Sequence, residues 1–208
     1  MSFAIVTPWF NHLELWPDYA KVAQDAKPDE LLIVDNASIP SLEFAEIQLS
    51  TNRGFCGGCN EGLRAATTDI VVFLNNDVSL VRRGWIKNLL SEISPGVLAG
   101  ARLRYDAHAH VDGVVMPYLD GWCFGGMRED LMRIGGFDEQ LEEPGYFSDN
   151  LLCLEARVAG MSLVEAGVGL MHKSGATSQP ANNPQVRAAT NANQQRYLTR
   201  AREVLALR

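Results

Sequence analysis

A chain of 208 residues, 47% of them hydrophobic, can bury a full core without disulfides, and its length favours a single domain over 1–208. Residues 1–172 hold 12 basic and 24 acidic side chains, an acidic body that excludes broad, sequence-independent nucleic-acid binding, whereas residues 173–208 carry six cations against one acid. No run approaches eighteen apolar residues, and the opening MSFAIVTPWFN lacks the charged flank and apolar length of a secretion signal, so no integral membrane segment is expected. The expectation is a soluble, cytoplasmic protein of a bacterial or virus-infected host cell, with its four cysteines as free thiols.

In chain order, the apolar run 3–7 closed by Pro8 reads as a strand, and 12–24 as a helix with apolar spacing at Leu13, Trp16, Tyr19 and Val22 and Pro17 in its first turn. A second strand is predicted over 31–34, ended by Asp35-Asn36. After a short segment around 42–47 come a glycine-rich loop over 53–58, a helix over 59–66 and a third apolar strand, 70–74, that stops at Asn75-Asn76-Asp77. Continuous apolar strands alternating with helices predict an α/β fold with a mostly parallel sheet sandwiched by helices. Ligands bind such sheets beyond the carboxyl ends of the strands, so Thr7-Pro8, Asp35-Asn36 and Asn75-Asn76-Asp77 converge on one site.

The second half is less regular. A helix is predicted over 85–93, strands over 97–105 and 111–116 around a polar turn at 106–110, a helix over 151–159, a strand over 162–164, and another over 168–171 leading to His172. Glycines at 121, 125, 126, 135 and 136 mark tight backbone. A polar stretch over 174–184 precedes a terminal helix over 185–206, whose basic charge has three open partners: a phosphate, an anionic membrane, or the acidic body itself. Cys56-Gly57-Gly58-Cys59 lacks the second pair that a zinc site needs, and His108-Ala109-His110 lacks a third ligand, so neither is expected to hold metal.

A carboxylate at the open end of a buried strand suits a divalent cation that bridges phosphates, and an Asx turn is the bland alternative for Asp77. The stretch Asn52-Arg53-Gly54-Phe55, then Asn60, then Ile70-Val71-Val72-Phe73-Leu74-Asn75-Asn76-Asp77 resembles the nucleotide-binding core of family 2 glycosyltransferases, whose DxD-type motif is often spelled LNND. Ile5-Val6-Thr7-Pro8 and Ile33-Val34-Asp35-Asn36 resemble that family's first two strand ends, and the likeness covers residues 3–79. The resemblance implies a GT-A fold with a nucleotide-binding half over 1–100, a smaller mixed donor-sugar and acceptor half over 101–172, and a basic tail over 173–208. It implies a nucleotide site of Thr7, Pro8, Asp35, Asn36, Arg53, Gly54, Asn60 and Asn76, with Asp35 facing a uracil N–H and Asp77 on Mn2+ or Mg2+.

The likeness continues through Gly121-Trp122-Cys123-Phe124-Gly125 and Gly135-Gly136-Phe137-Asp138-Glu139. It implies that Asn75, Trp122, Cys123, Phe124 and Gly125 meet the donor sugar or acceptor. In Tyr146-Phe147-Ser148-Asp149-Asn150-Leu151, Ser148 stands where the family usually has Glu, which leaves Asp149 as general base or, on local sequence, as a helix cap. His172 is a candidate for the metal or the diphosphate. The expected activity is transfer of a sugar from a UDP-sugar, with inversion, to a glycan, protein, lipid-linked sugar or modified base. The alternatives are a nucleotide-sugar-binding protein without transfer activity, and a sugar-phosphate nucleotidyltransferase, whose glycine-rich loop would follow the first strand where Trp9-Phe10-Asn11 stands here.

Overall fold

The computed structural model describes residues 1–173 and 183–207, so most of the polar stretch expected over 174–184 lies outside the described residues. In chain order the first half contains β1 (Phe3–Trp9), α1 (Trp16–Ala26), β2 (Glu30–Asp35), β3 (Ile47–Gln48), α2 (Gly54–Ala65), β4 (Ile70–Leu74), β5 (Val78–Leu80) and α3 (Ile86–Glu92). The second contains β6 (Val97–Gly100), β7 (Leu103–Arg104), β8 (His110–Val111), β9 (Val114–Val115), β10 (Tyr118–Leu119), β11 (Cys123–Met127), α4 (Arg128–Arg133), α5 (Ser148–Val158), β12 (Ser162–Glu165), β13 (Leu170–His172) and α6 (Pro184–Ala206).

Seven strands form the central sheet in the order β3-β2-β1-β4-β11-β6-β12. All run parallel except β11, which is antiparallel to both of its neighbours, β4 and β6. Alternation along the strands sends Ile5, Ile70, Val72 and Leu74 to one face, under Tyr19 and Val22 of α1 and Leu89 of α3. Ala4, Val6, Val71 and Phe73 face the other way, under Leu63 of α2, Leu131 of α4, Leu152 of α5 and Tyr197 of α6. The sandwiched, mostly parallel α/β sheet expected from the sequence is therefore present, and among the described residues no helix is long and apolar enough to cross a membrane.

Three local expectations are corrected. The glycine-rich segment 53–58 is the start of α2, not a loop, because its glycines let the helix lie close to β1. A Cβ on Gly62 would stand 2.3 Å from Val6 Cγ1, and one on Gly58 2.8 Å from Pro8 Cβ. The strand expected over 97–105 breaks after Gly100, and its second part, β7, pairs with β10 outside the main sheet. The segment 111–116 is not one strand: β8 and β9 form a hairpin whose two-residue turn, Asp112-Gly113, has both φ angles positive (48° and 84°), the geometry that an Asp-Gly turn favours.

Three arginines of the basic terminal helix pair with the acidic body. Arg196 pairs with Asp138, Arg200 with Glu155 and Arg202 with Asp112, while Val186, Tyr197, Ala201 and Val204 are buried. The close α2–β1 contact gives a test. Gly62→Ala adds a methyl group where Val6 leaves no room, and should lower unfolding free energy by about 1–3 kcal/mol in chemical denaturation; an unchanged midpoint would contradict this packing.

Candidate active site

The lone antiparallel strand assembles the site. Cys123 stands opposite Leu74, so the residues that precede β11, Asp120-Gly121-Trp122, lie against the residues that follow β4. Asn75 N donates to Trp122 O at 2.8 Å. A second pairing, β5 with β13, sets His172 opposite Val78, and Lys173 N donates to Asp77 O at 2.8 Å. His172 Nε2 thereby comes to 3.0 Å from Asp77 Oδ1 and 3.4 Å from Asn75 Nδ2, with its ring stacked on Trp122 at 5.1 Å and 9°.

Asp77 is 2% exposed, and among the described residues its Oδ1 has no hydrogen-bond partner, although His172 Nε2 stands 3.0 Å from it. A buried carboxylate oxygen without a donor is costly, and a cation removes that cost. Asp77 and His172 would offer one oxygen and one nitrogen to a cation, and among the described residues no group of three or more His, Cys, Asp or Glu could hold a metal ion. The pair fits a divalent ion whose remaining positions go to water and phosphate oxygens.

Asp149 lies in the first turn of α5 and reaches the same cavity. Phe147, not Asp149, occupies the cap position, with φ of 71° and no capping side chain. Asp149 Oδ2 instead crosses to accept Gly121 N at 3.1 Å, and Oδ1 accepts Asn150 N at 2.9 Å. Burial pushes its carboxyl up to about 6, against the lowering effect of these two N–H groups, and the nearby Asp120 carboxylate adds to the rise. Burial likewise raises Asp120, whose nearest cation is Arg104 at 3.5 Å, and raises Glu143, which accepts Phe55 N at 2.9 Å.

A cavity of about 480 Å³ joins these groups, and of the site residues expected from the sequence Pro8, Asn36, Gly54, Asn75, Asn76, Asp77, Trp122, Asp149 and His172 line it. Other expected site residues are turned elsewhere. Thr7 alternates to the opposite face of β1 from Pro8, and its hydroxyl bonds Tyr19 Oη in the core. Asp35 does not offer a free carboxylate to a base: Oδ1 accepts Ser38 N, and Oδ2 accepts Leu42 N and Ser41 Oγ, which fixes the loop after β2. Arg53 points outward to Glu61 and Glu139. Asn60 brackets Phe137 through both its N–H and its C=O. Cys123 and Phe124 are buried within β11, and Gly125 is glycine because a Cβ would meet Val71 O at 2.6 Å.

Conversely, the cavity wall includes Arg104, Asp120, Glu143 and Tyr146, which sequence reasoning missed. Asp120 had one legible signal, its position two residues before Trp122. Asn36 has a double role: it lines the cavity while its amide bonds Gly54 O and Arg53 N, tying the end of β2 to the start of α2.

The model of the family described as Glycosyl transferase family 2 matches residues 5–128. Comparison with curated protein sequences gives no match. Among solved structures, the chain is similar to a mannosyltransferase from Pyrobaculum calidifontis in complex with GDP-Man and Mn2+ (TM-score 0.62, 16% identity, 99% of this chain and 74% of that one). It is similar also to glucosyl-3-phosphoglycerate synthase from Mycobacterium tuberculosis with Mn2+, UDP and phosphoglyceric acid (0.59, 20%, 93% and 78%). GalNAc-T7 with UDP, GalNAc and Mn2+ gives 0.71 at 12% identity, over 96% of this chain and 48% of that one. These likenesses concern the fold.

The raised carboxyl of Asp149 has a measurable consequence. In the unfolded chain this group titrates near the ordinary 3.8, and in the folded chain at about 6. The folded state therefore holds the proton more tightly, and Asp149's contribution to stability falls as pH rises between about 4 and 6. Thermal melts of the parent and Asp149→Asn should show a stability difference that moves in favour of the variant across that window and then levels off. A difference independent of pH would contradict the assignment.

Proposed function

The chain belongs to glycosyl transferase family 2, and from that premise we propose that it transfers a sugar from a UDP-sugar to an acceptor hydroxyl, with inversion, using Mn2+ or Mg2+. The observation that carries the reading is the buried, unsatisfied Asp77 Oδ1 beside His172 in the same cavity as Asp149. Asp77 and His172 would hold the cation, which when bound neutralises charge accumulating on the departing diphosphate. The uridine would lie along the wall made by Pro8, Asn36 and Gly54, as donors do at the carboxyl ends of parallel strands. UDP is favoured as the nucleotide because GalNAc-T7 and glucosyl-3-phosphoglycerate synthase, both similar in fold, hold it.

Asp149 would accept the proton of the attacking hydroxyl. Gly121 N and Asn150 N fix its carboxylate, and a pKa of about 6 keeps it ionised at neutral pH yet more basic than an exposed aspartate. Inversion follows from a single displacement in which one carboxylate serves as base. A second reading, binding of a nucleotide sugar without transfer, is favoured only by Ser148 at the position where the family carries Glu.

Hydrolysis of a panel of UDP- and GDP-hexoses, with water in place of the acceptor, separates the two readings. We expect metal-dependent hydrolysis of at least one donor, and Asp149→Asn should lower its turnover by about 10²- to 10⁴-fold while UDP binding persists. Nucleotide binding with no turnover of any donor would favour the binding protein. Full activity in Asp149→Asn would remove the base.

A further inference from the structure

The terminal helix α6 lies outside the family match, yet it touches the site through one segment. Its buried face runs Val186, Ala189, Asn193, Tyr197, Ala201 and Val204, an apolar stripe at helical spacing interrupted by a single amide. Asn193 is 2% exposed. Asparagine is a poor helix former, and burying its amide is costly without partners, so a hydrophobic residue would serve packing better. Its partners are both on one residue: Asn193 Nδ2 donates to Glu142 O, and Asn193 Oδ1 accepts Glu142 N, each at 2.8 Å.

One turn further along α6, the Tyr197 ring stacks on Phe147 with centroids 5.9 Å apart and planes 25° from parallel. Phe147 needs holding, since its φ of 71° is a left-handed conformation that a bulky residue adopts only under constraint. The two contacts therefore grip both ends of 142–147. Between them lie Glu143 and Tyr146 in the cavity wall, and two residues beyond the second comes Asp149.

We propose that α6 is a positioning element of the active site: Asn193 and Tyr197 act on Glu142 and Phe147 to set the segment that presents Asp149. This rests on the reading of Asp149 as base. Neither residue meets substrate, so their effect is transmitted by backbone geometry, where displacements of about 1 Å can cost about 10²-fold in rate.

The test uses Asn193→Ala and Tyr197→Leu, the latter keeping most of the buried apolar volume while removing the ring stack on Phe147 and the hydroxyl's bond to Asn150. Turnover and KM are measured for the best-hydrolysed donor of the UDP- and GDP-hexose panel, with calorimetry of UDP plus Mn2+ and a thermal melt beside them. The expected result is a folded protein with kcat lowered about 10- to 100-fold and UDP affinity within twofold of the parent. Unchanged kcat in the folded variants would overturn the proposal. So would parallel loss of kcat and UDP binding, or failure of both variants to fold, each of which would assign α6 to the fold alone. An active Asp149→Asn would sink the base assignment on which the proposal rests, whereas an inactive Asp149→Asn beside an unimpaired Asn193→Ala and Tyr197→Leu would sink the positioning role alone.

Discussion

The site depends on the register of one antiparallel strand. With Cys123 opposite Leu74 and Asn75 N bonded to Trp122 O, the start of β11 and the end of β4 share one edge of the sheet, and Asp120, Gly121 and Trp122 meet Asn75, Asn76 and Asp77 there. A slip of one residue would exchange the faces of β11, carrying Phe124 out of its contacts with Phe73 and Phe137 and turning Trp122 away from His172. The register is secured by close packing. A Cβ on Gly125 would meet the backbone oxygen of Val71 at 2.6 Å, so glycine is required there for β11 to seat against β4, and one on Gly126 would press on the end of the Leu98 side chain at 2.5 Å.

That register also fixes the electrostatics. Asp77, Asp120 and Asp149 face one cavity, and the cation in its wall, Arg104, is engaged by Asp106 as well as Asp120. Adding a diphosphate to this carboxylate-lined cavity without a counter-charge is unfavourable at any dielectric constant below that of bulk water. Under the proposed reading a divalent cation on Asp77 and His172 reverses the sign at the point where the phosphates arrive. The further carboxylates can then serve the sugar and acceptor side, with burial holding Asp149 near the basicity that proton transfer requires.

How much of this was legible depends on how local each feature is. β1, β2 and β4 were readable because each is an apolar run cut off by polar residues, and their ends contribute Pro8, Asn36 and the Asn75-Asn76-Asp77 turn to the cavity. Thr7 and Asp35 lie outside the cavity lining for local reasons that a strand end conceals: the period-two alternation turns Thr7 inward, and the loop after β2 folds back onto Asp35. The start of α2 was misread because glycine is a weak helix former, a preference overridden here by contact with Val6 and Pro8. Beyond its nearness to Trp122 in the sequence, the place of Asp120 in the cavity wall depends on partners brought together across the chain by sheet register, and the bracket between Asn193 and Glu142 depends on helix docking.

Under the proposed reading, the carboxylate at the end of β4 binds the nucleotide through a cation. Calorimetric titration of UDP into the protein with Mn2+, and again with chelator, tests it most directly, with Asp77→Asn run in parallel. The expected result is binding with Mn2+, loss of binding in chelator, and an Asp77→Asn protein that behaves in Mn2+ as the parent does in chelator. Equal UDP affinity in all of these conditions would contradict it.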